Sequence, residues 1–274
     1  MPELPDIESY RITLTEHLVG ARVRDVRVLD AGVLRNETPN AFRNRLVGCR
    51  FGAPHRHGKW LMLPADGLML LIHSGMTGKL YLTGADGAEV RTDDRLVIVT
   101  DAGELRYADL RKLGGLWLLP SGADVSTVTG DQGVDALGIS VPAFRAALLG
   151  RRGALKTTLM DQQVIAGLGN MLTDEVCWRA QLHPARTVNT LDDQTLGNLH
   201  RVMQRVLRAA VKYGRIPRTR AWLSSTRDRD PAPCPRCATA LRRSRIGGRT
   251  SIWCPHCQPP STTSGADAGP GGPS

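Results

Sequence analysis

The four cysteines near the C-terminus constrain this chain more than any other feature. Cys234, Cys237, Cys254 and Cys257 follow the pattern C-x2-C-x16-C-x2-C, inside the spacing of four-thiolate zinc sites. Two close pairs bracketing Ile246-Gly247-Gly248-Arg249 suit a ribbon hairpin in which two turns each present a pair of sulfurs to one tetrahedral ion. Disulfide pairing is the alternative, and a reducing compartment argues against it. Cys49 and Cys177 lack such partners and read as small buried apolar residues.

The chain of 274 residues is long enough for two domains plus this appendage. No apolar run approaches the roughly 18 residues of a membrane span, and no basic-then-apolar leader precedes a cleavage site. The expectation is a soluble, intracellular protein with no membrane partner. Charge is unevenly placed: residues 1–144 hold 16 Lys/Arg against 18 Asp/Glu, and residues 145–274 hold 20 against 8. The basic half is the expected contact surface for a polyanion, a merely solubilising surface being the alternative.

Along the chain, Ile7, Tyr10, Leu14 and Leu18 recur at helical spacing and predict a helix over Glu8 to Leu18. Short β runs follow at Val23–Leu29, Arg50–Gly52, Trp60–Leu63, Leu68–His73, Lys79–Thr83, Leu96–Thr100, Glu104–Asp109 and Leu116–Leu119. Turn signals separate them, among them Ala85-Asp86-Gly87. This pattern predicts a β-sandwich or barrel-like first domain. The stretch from Pro120 to Gly138 reads as a connection. Helical periodicity then places Phe144, Leu148 and Leu149 on one face, and Leu191, Leu196, Leu199, Val202, Val206 and Leu207 on another. Between them lies the turn Gly167-Leu168-Gly169-Asn170, either an ordinary helix-helix turn or one aiming helix amides at phosphate. Residues 215–233 read as a mobile basic linker, and the Pro/Gly/Ser-rich tail 259–274 as disordered.

The start Met1-Pro2-Glu3 has two readings: a helix cap, or, after removal of Met1, a secondary amine. An N-terminal amine ionises near about 8, so part of it is unprotonated and nucleophilic at neutral pH.

Taken together, several motifs resemble the formamidopyrimidine-DNA glycosylase and endonuclease VIII family of base-excision repair enzymes. They are Pro2-Glu3, His57-Gly58-Lys59, His73-Ser74-Gly75-Met76-Thr77-Gly78, Leu105 through Arg111, Leu159-Met160-Asp161 through Asn170, and the four cysteines. The resemblance spans Pro2 to Cys257. It implies an α+β multidomain fold: an N-terminal β-sandwich with a leading helix (1–125), a helical helix-two-turn-helix domain (126–220), a linker and C-terminal zinc-ribbon β-hairpin (221–258), and a tail (259–274). It implies a bifunctional glycosylase and abasic-site lyase working by Schiff base on double-stranded DNA that carries a damaged base or abasic site. The catalytic positions are Pro2, Glu3, Lys59 and Arg249. Met76, Arg111 and Leu113 would fill the gap left by a flipped nucleotide, and Arg151, Lys156 and Asn170 would grip phosphates. The cofactor implied is one structural zinc, with no organic cofactor, in a monomeric, cytoplasmic, nucleoid-associated bacterial protein.

The sequence departs from the family at Leu110, Lys112, Leu113, Leu172, Thr92 and in a short segment between Tyr213 and Cys234. Substrate therefore stays open among 8-oxoguanine, formamidopyrimidines and oxidised pyrimidines, as does single versus double elimination. The competing functional class is a non-catalytic damage-binding protein on the same scaffold, which has no need of Pro2-Glu3 with Lys59.

Overall fold

The structure, a computed structural model, describes residues 1–84, 88–229 and 231–260. The turn expected at Ala85-Asp86-Gly87 and the tail from residue 261 lie outside the described residues.

The first helix, α1 (Leu4–His17), begins four residues earlier than periodicity predicts, because Pro5 sits in its first turn, where a missing N–H costs no bond. Glu3 is the extended residue that caps it. Next come β1 (Val23–Val28) and α2 (Pro39–Leu46). Helix α2 is absent from the sequence expectation: it buries only Phe42 and Leu46, too few for a periodic signal, although Thr38 caps Ala41 N–H at 3.3 Å. Strands β2 (His55–His57), β3 (Trp60–Ala65), β4 (Leu68–His73), β5 (Lys79–Thr83), β6 (Asp94–Thr100), β7 (Gly103–Ala108) and β8 (Gly115–Pro120) follow.

These strands form two antiparallel four-stranded sheets, ordered β2-β3-β4-β8 and β1-β6-β7-β5. Their inner faces share one core: Leu61, Leu63, Leu70, Ile72, Leu116 and Leu118 from one sheet meet Val26, Leu96, Ile98, Leu105 and Tyr107 from the other. The alternation predicted from sequence is therefore that of a sandwich.

The connection after β8 carries a short helix, α3 (Ser126–Thr129), and is tied down by β9 (Val134–Asp135), which pairs in parallel with β10 (Ile165–Ala166). The helical half comprises α4 (Val141–Leu148), α5 (Leu155–Met160), α6 (Asn170–Arg179) and α7 (Asp193–Lys212). Phe144, Leu148, Leu159, Leu172, Val176, Leu199, Met203 and Leu207 lie in its core. Leu149 does not join them: α4 ends at Leu148, and Leu149 is 83% exposed.

The basic segment expected to be a mobile linker is packed. Ile216, Trp222 and Leu223 are buried, and Arg179 donates to the carbonyl of Ala221 at 2.8 Å. The ribbon hairpin, β11 (Arg242–Ile246) and β12 (Arg249–Trp253), docks beside α6. Among the two unpaired cysteines, Cys177 is fully buried, whereas Cys49 is only half-buried.

Helix α1 belongs to both halves. Its Leu4 lies in the helical core, while its Ile7, Leu14 and Leu18 lie in the sandwich core.

Candidate active site

The N-terminus of α1 meets the N-terminus of α6. The Glu3 carboxylate accepts from the backbone N–H groups of Gly169 (2.9 Å), Met171 (2.8 Å) and Leu172 (3.2 Å). These are donors that a helix end leaves free, and they face an anion by design of the helix itself. Glycine is required for this approach: a Cβ on Gly169 would lie 2.3 Å from Glu3 Cδ, and one on Gly167, at φ +116°, 2.4 Å from Leu4 Cδ1. The glycines, read from sequence as either an ordinary turn or one aiming helix amides at phosphate, thus form the socket for the start of the chain, and the amides face the Glu3 carboxylate.

Glu3 is wholly buried, and burial pushes its carboxyl above the ordinary value, opposed by the charge of Lys59 and by the three amides. A carboxyl so placed holds its proton further toward neutral pH, as a general acid must.

Lys59 is carried on the two-residue loop between β2 and β3, where Gly58 takes φ +56°. That tip is pressed on the helical half, since a Cβ on Gly58 would sit 2.8 Å from Ala166 Cβ. It is also clamped. Arg56 forks onto Asp135 at 2.5 and 2.9 Å and reaches Glu8 at 2.7 Å, while Gly58 N–H donates to Asp135 at 2.7 Å. Burial lowers the Lys59 pKa and Arg249 lowers it further, while Glu3 opposes both. Arg249 is exposed at the start of β12.

Pro2 and Lys59 line one hollow of about 260 Å³ with Trp60, His73, Met76, Leu113, Gln132 and Gln162. Pro2 also lines a larger one of about 610 Å³ with Asp6, Tyr10, Leu110, Met171, Arg215 and Arg218. Met1 is still joined to Pro2, so the Pro2 nitrogen seen here is an amide standing in for the amine of a processed chain.

Met76, Arg111 and Leu113 come together on the rim. Met76 is 37% and Leu113 52% exposed, and Arg111 Nη1 lies 3.4 Å from Met76 Sδ. Their two loops are tied by buried Asp109, which accepts from Thr77 Oγ1 (2.5 Å), Arg111 N (3.2 Å), Tyr107 Oη (3.1 Å) and Gly114 N (3.1 Å).

Asn170 opens α6, and its Oδ1 is buried without a partner. Arg151 is exposed beside Arg152, outside both hollows. Lys156 departs from its expected place as a phosphate contact. Its ammonium is completely buried, donating to Asp174 at 2.6 Å and to the Thr250 carbonyl at 3.0 Å. A cation neutralised inside the protein has no phosphate within reach.

Some participants escape sequence reasoning. His73 stood in a recognised motif with no role, yet it lines the cleft 4.7 Å from the Trp60 ring. Burial, then Lys59, lowers its pKa. Arg56 and Asp135, 79 residues apart, leave no local signal at all.

At the far end, Cys234, Cys237, Cys254 and Cys257 bring their sulfurs within 4.8 Å of one another. Measured pairs are 3.4, 3.5 and 4.0 Å. A tetrahedral ion with Zn–S bonds of about 2.3 Å separates its sulfurs by about 3.8 Å, so the donor set fits a metal ion such as zinc.

Comparison with known proteins agrees with this geometry. Residues 1–116 match the formamidopyrimidine-DNA glycosylase N-terminal domain, and residues 135–220 its H2TH domain. The chain is 34% identical to the formamidopyrimidine-DNA glycosylase of Symbiobacterium thermophilum, over 94% of this chain and 90% of that protein. It is 35% identical to that of Salinispora arenicola, over 94% and 96%. A complex of Lactococcus lactis Fpg with DNA containing an abasic site superposes with a TM-score of 0.82 at 27% identity, covering 94% of this chain and 100% of that one. MutM bound to DNA containing carbocyclic 8-oxo-G gives 0.81 at 27% identity, with the same coverage. With both domains matched and relatives of this identity aligned over nearly the whole chain, this chain belongs to the formamidopyrimidine-DNA glycosylase family.

Proposed function

We propose that the protein is a DNA glycosylase and abasic-site lyase that removes oxidised or ring-opened bases from duplex DNA. The observation that carries this reading is that Pro2 and Lys59 line one cleft, with the buried Glu3 carboxyl adjoining Pro2 and interacting with the Lys59 charge. Processing of Met1 exposes the Pro2 amine, which attacks the sugar C1′ as the bond from C1′ to the base breaks. Glu3 supplies the proton for the opening sugar or leaving group, and an iminium joins Pro2 to C1′. Removal of the C2′ proton then breaks the C3′–oxygen bond and releases the 3′ phosphate side; water frees the enzyme. Lys59 faces the phosphate and the moving protons, and Arg249 assists a second elimination at the other phosphate.

Met76, Arg111 and Leu113 occupy the gap in the duplex, and the hollow holding Tyr10, Met171 and Arg215 receives the extruded base. Asn170 and Arg151 hold the backbone. The sandwich domain (1–125) thereby acts against a DNA-gripping domain (126–220), with the linker and ribbon (221–258) closing the far side. One zinc ion, held by the four thiolates, is structural, because a four-thiolate site has no open position. The described residues contain no helix long and apolar enough to cross a membrane, and we place the monomeric protein with the bacterial nucleoid in the cytoplasm.

Borohydride reduction with abasic-site duplex tests the reading: processed protein gives a covalent adduct, and a chain that keeps Met1, whose Pro2 nitrogen is an amide, gives none at Pro2. Failure of the processed protein to trap would favour a damage-binding role on the same scaffold. Normal trapping by the chain that keeps Met1 would remove the assigned nucleophile.

A further inference from the structure

A second set of cations lies at the other end of the helical half. Helix α6 runs from Asn170 at the cleft to Arg179, nine residues on, which is about 14 Å of helix axis. There Arg179, Arg205 and Arg236 line a hollow of about 490 Å³ floored by Trp222. Two of the three guanidiniums are preset by stacking. Arg179 lies 4.8 Å from the Trp222 ring centre, and Arg236 lies 4.9 Å from that of Trp178. A stacked guanidinium can keep its N–H edge for an anion: Arg236 has no carboxylate partner among the described residues, whereas Arg179 already donates to Glu175 and to the Ala221 carbonyl.

Arg205 also belongs to a row along α7. Arg201, Arg205, Arg208 and Lys212 recur at spacings of four, three and four, and all are exposed. Such spacing places them on one face of the helix. Exposed basic helix faces usually interleave acids, but after Asp193 α7 contains none. Among the described residues Arg179 alone of these cations has a carboxylate partner, Glu175. The neighbouring apolar residues Val202, Val206 and Trp222 are buried, so the surface offers charge without the apolar anchors around which protein partners dock.

We infer that this surface is a second phosphodiester site: it seats the backbone of a separate duplex segment while the cleft holds the first. The α7 cations advance about 4.5 to 6 Å at each step, a scale suited to following one strand whose charges rise about 3.4 Å apiece. The hollow anchors one phosphate, and the row follows its neighbours. The protein thereby passes from one segment to another without a free interval. The inference rests on the cleft reading above for its first segment.

The test follows dissociation of a labelled abasic-analogue duplex at increasing concentrations of unlabelled duplex, with polyglutamate as a second competitor. For the unaltered protein the rate should climb with duplex concentration. In the double variant Arg205→Glu/Arg208→Glu the slope should fall about fivefold or more, with release at zero competitor and borohydride trapping unchanged. An unchanged slope in the variant, a flat response in the unaltered protein, or equal acceleration by polyglutamate would each overturn the inference. Loss of trapping in both proteins with the slopes still different would count against the cleft chemistry and leave this surface standing.

Discussion

Lys156 and Asp174 form a 2.6 Å ion pair that solvent does not reach. Asp174 also accepts from Arg227 (2.7 Å), Ser251 Oγ (3.0 Å) and Ile252 N (3.3 Å), so one carboxylate joins α5, α6, the segment after α7 and β12. Arg249 begins that same strand. Removing one partner of a buried pair costs about 3–5 kcal/mol, so Lys156→Ala should lower the melting temperature. Trapping at Pro2 should persist, while product shifts away from the second elimination as Arg249 loses its seat. Gel analysis of the cleaved ends and a thermal melt check this; an unchanged melt would contradict the role of the pair.

Gly169 and Glu3 leave no room between them. Gly169→Ala puts a methyl where Glu3 Cδ already lies 2.3 Å away, which must push the carboxyl off its amides. Base excision should drop by about two orders of magnitude, the size of effect expected for a displaced acid. Elimination at a preformed abasic site should suffer less. Single-turnover rates on the two substrates separate these outcomes, and equal losses on both would argue against Glu3 as the acid for base release.

Asp109 accepts four hydrogen bonds, so Asp109→Asn turns an acceptor into an amide facing donors. Each unsatisfied buried partner costs about 1–3 kcal/mol. The loops bearing Met76 and Arg111 should loosen and flipping should weaken. Fluorescence of 2-aminopurine beside the lesion should rise less on binding, while trapping on single-stranded abasic DNA stays normal. A full fluorescence rise would show that the loops do not depend on Asp109.

Burial raises Glu175 to about 7 from 4.5, with Arg179 opposing. The folded protein therefore holds this proton more tightly than the unfolded chain. Stability is greatest below about pH 4.5 for this group and declines as pH rises to about 7, by about 3 kcal/mol. In Glu175→Gln that decline should vanish. Urea denaturation at pH 5 and pH 8 compares the two, and parallel pH dependence would exclude Glu175 as its source.

Most strands, α1, α7 and the cysteine ribbon were legible in the sequence because each repeats a local pattern of burial or spacing. Helix α2 and β2 were not, since Phe42 and Leu46 are too few and His-Arg-His carries no apolar alternation. The strand expected at Arg50–Gly52 is only a pair of isolated bridges, at Arg50 and Phe51, because the two pair with different segments and so form no ladder. The site residues Pro2, Glu3 and Lys59 were marked by a family resemblance, but their meeting depends on contacts no window contains. Lys156 shows the limit most clearly. The family resemblance assigned it to phosphate, and only the fold brings Asp174 to it. Likewise, Arg227 and Trp222 turned an apparent linker into packed structure.

Glu3 is held by amides 166 to 169 residues further along the chain. Glu3 precedes the sandwich in the chain, yet the groups that seat its carboxyl are made only with the helical half. A chain cut short before Gly169 therefore has no amides to seat the Glu3 carboxyl, which is held only once both halves have closed on α1.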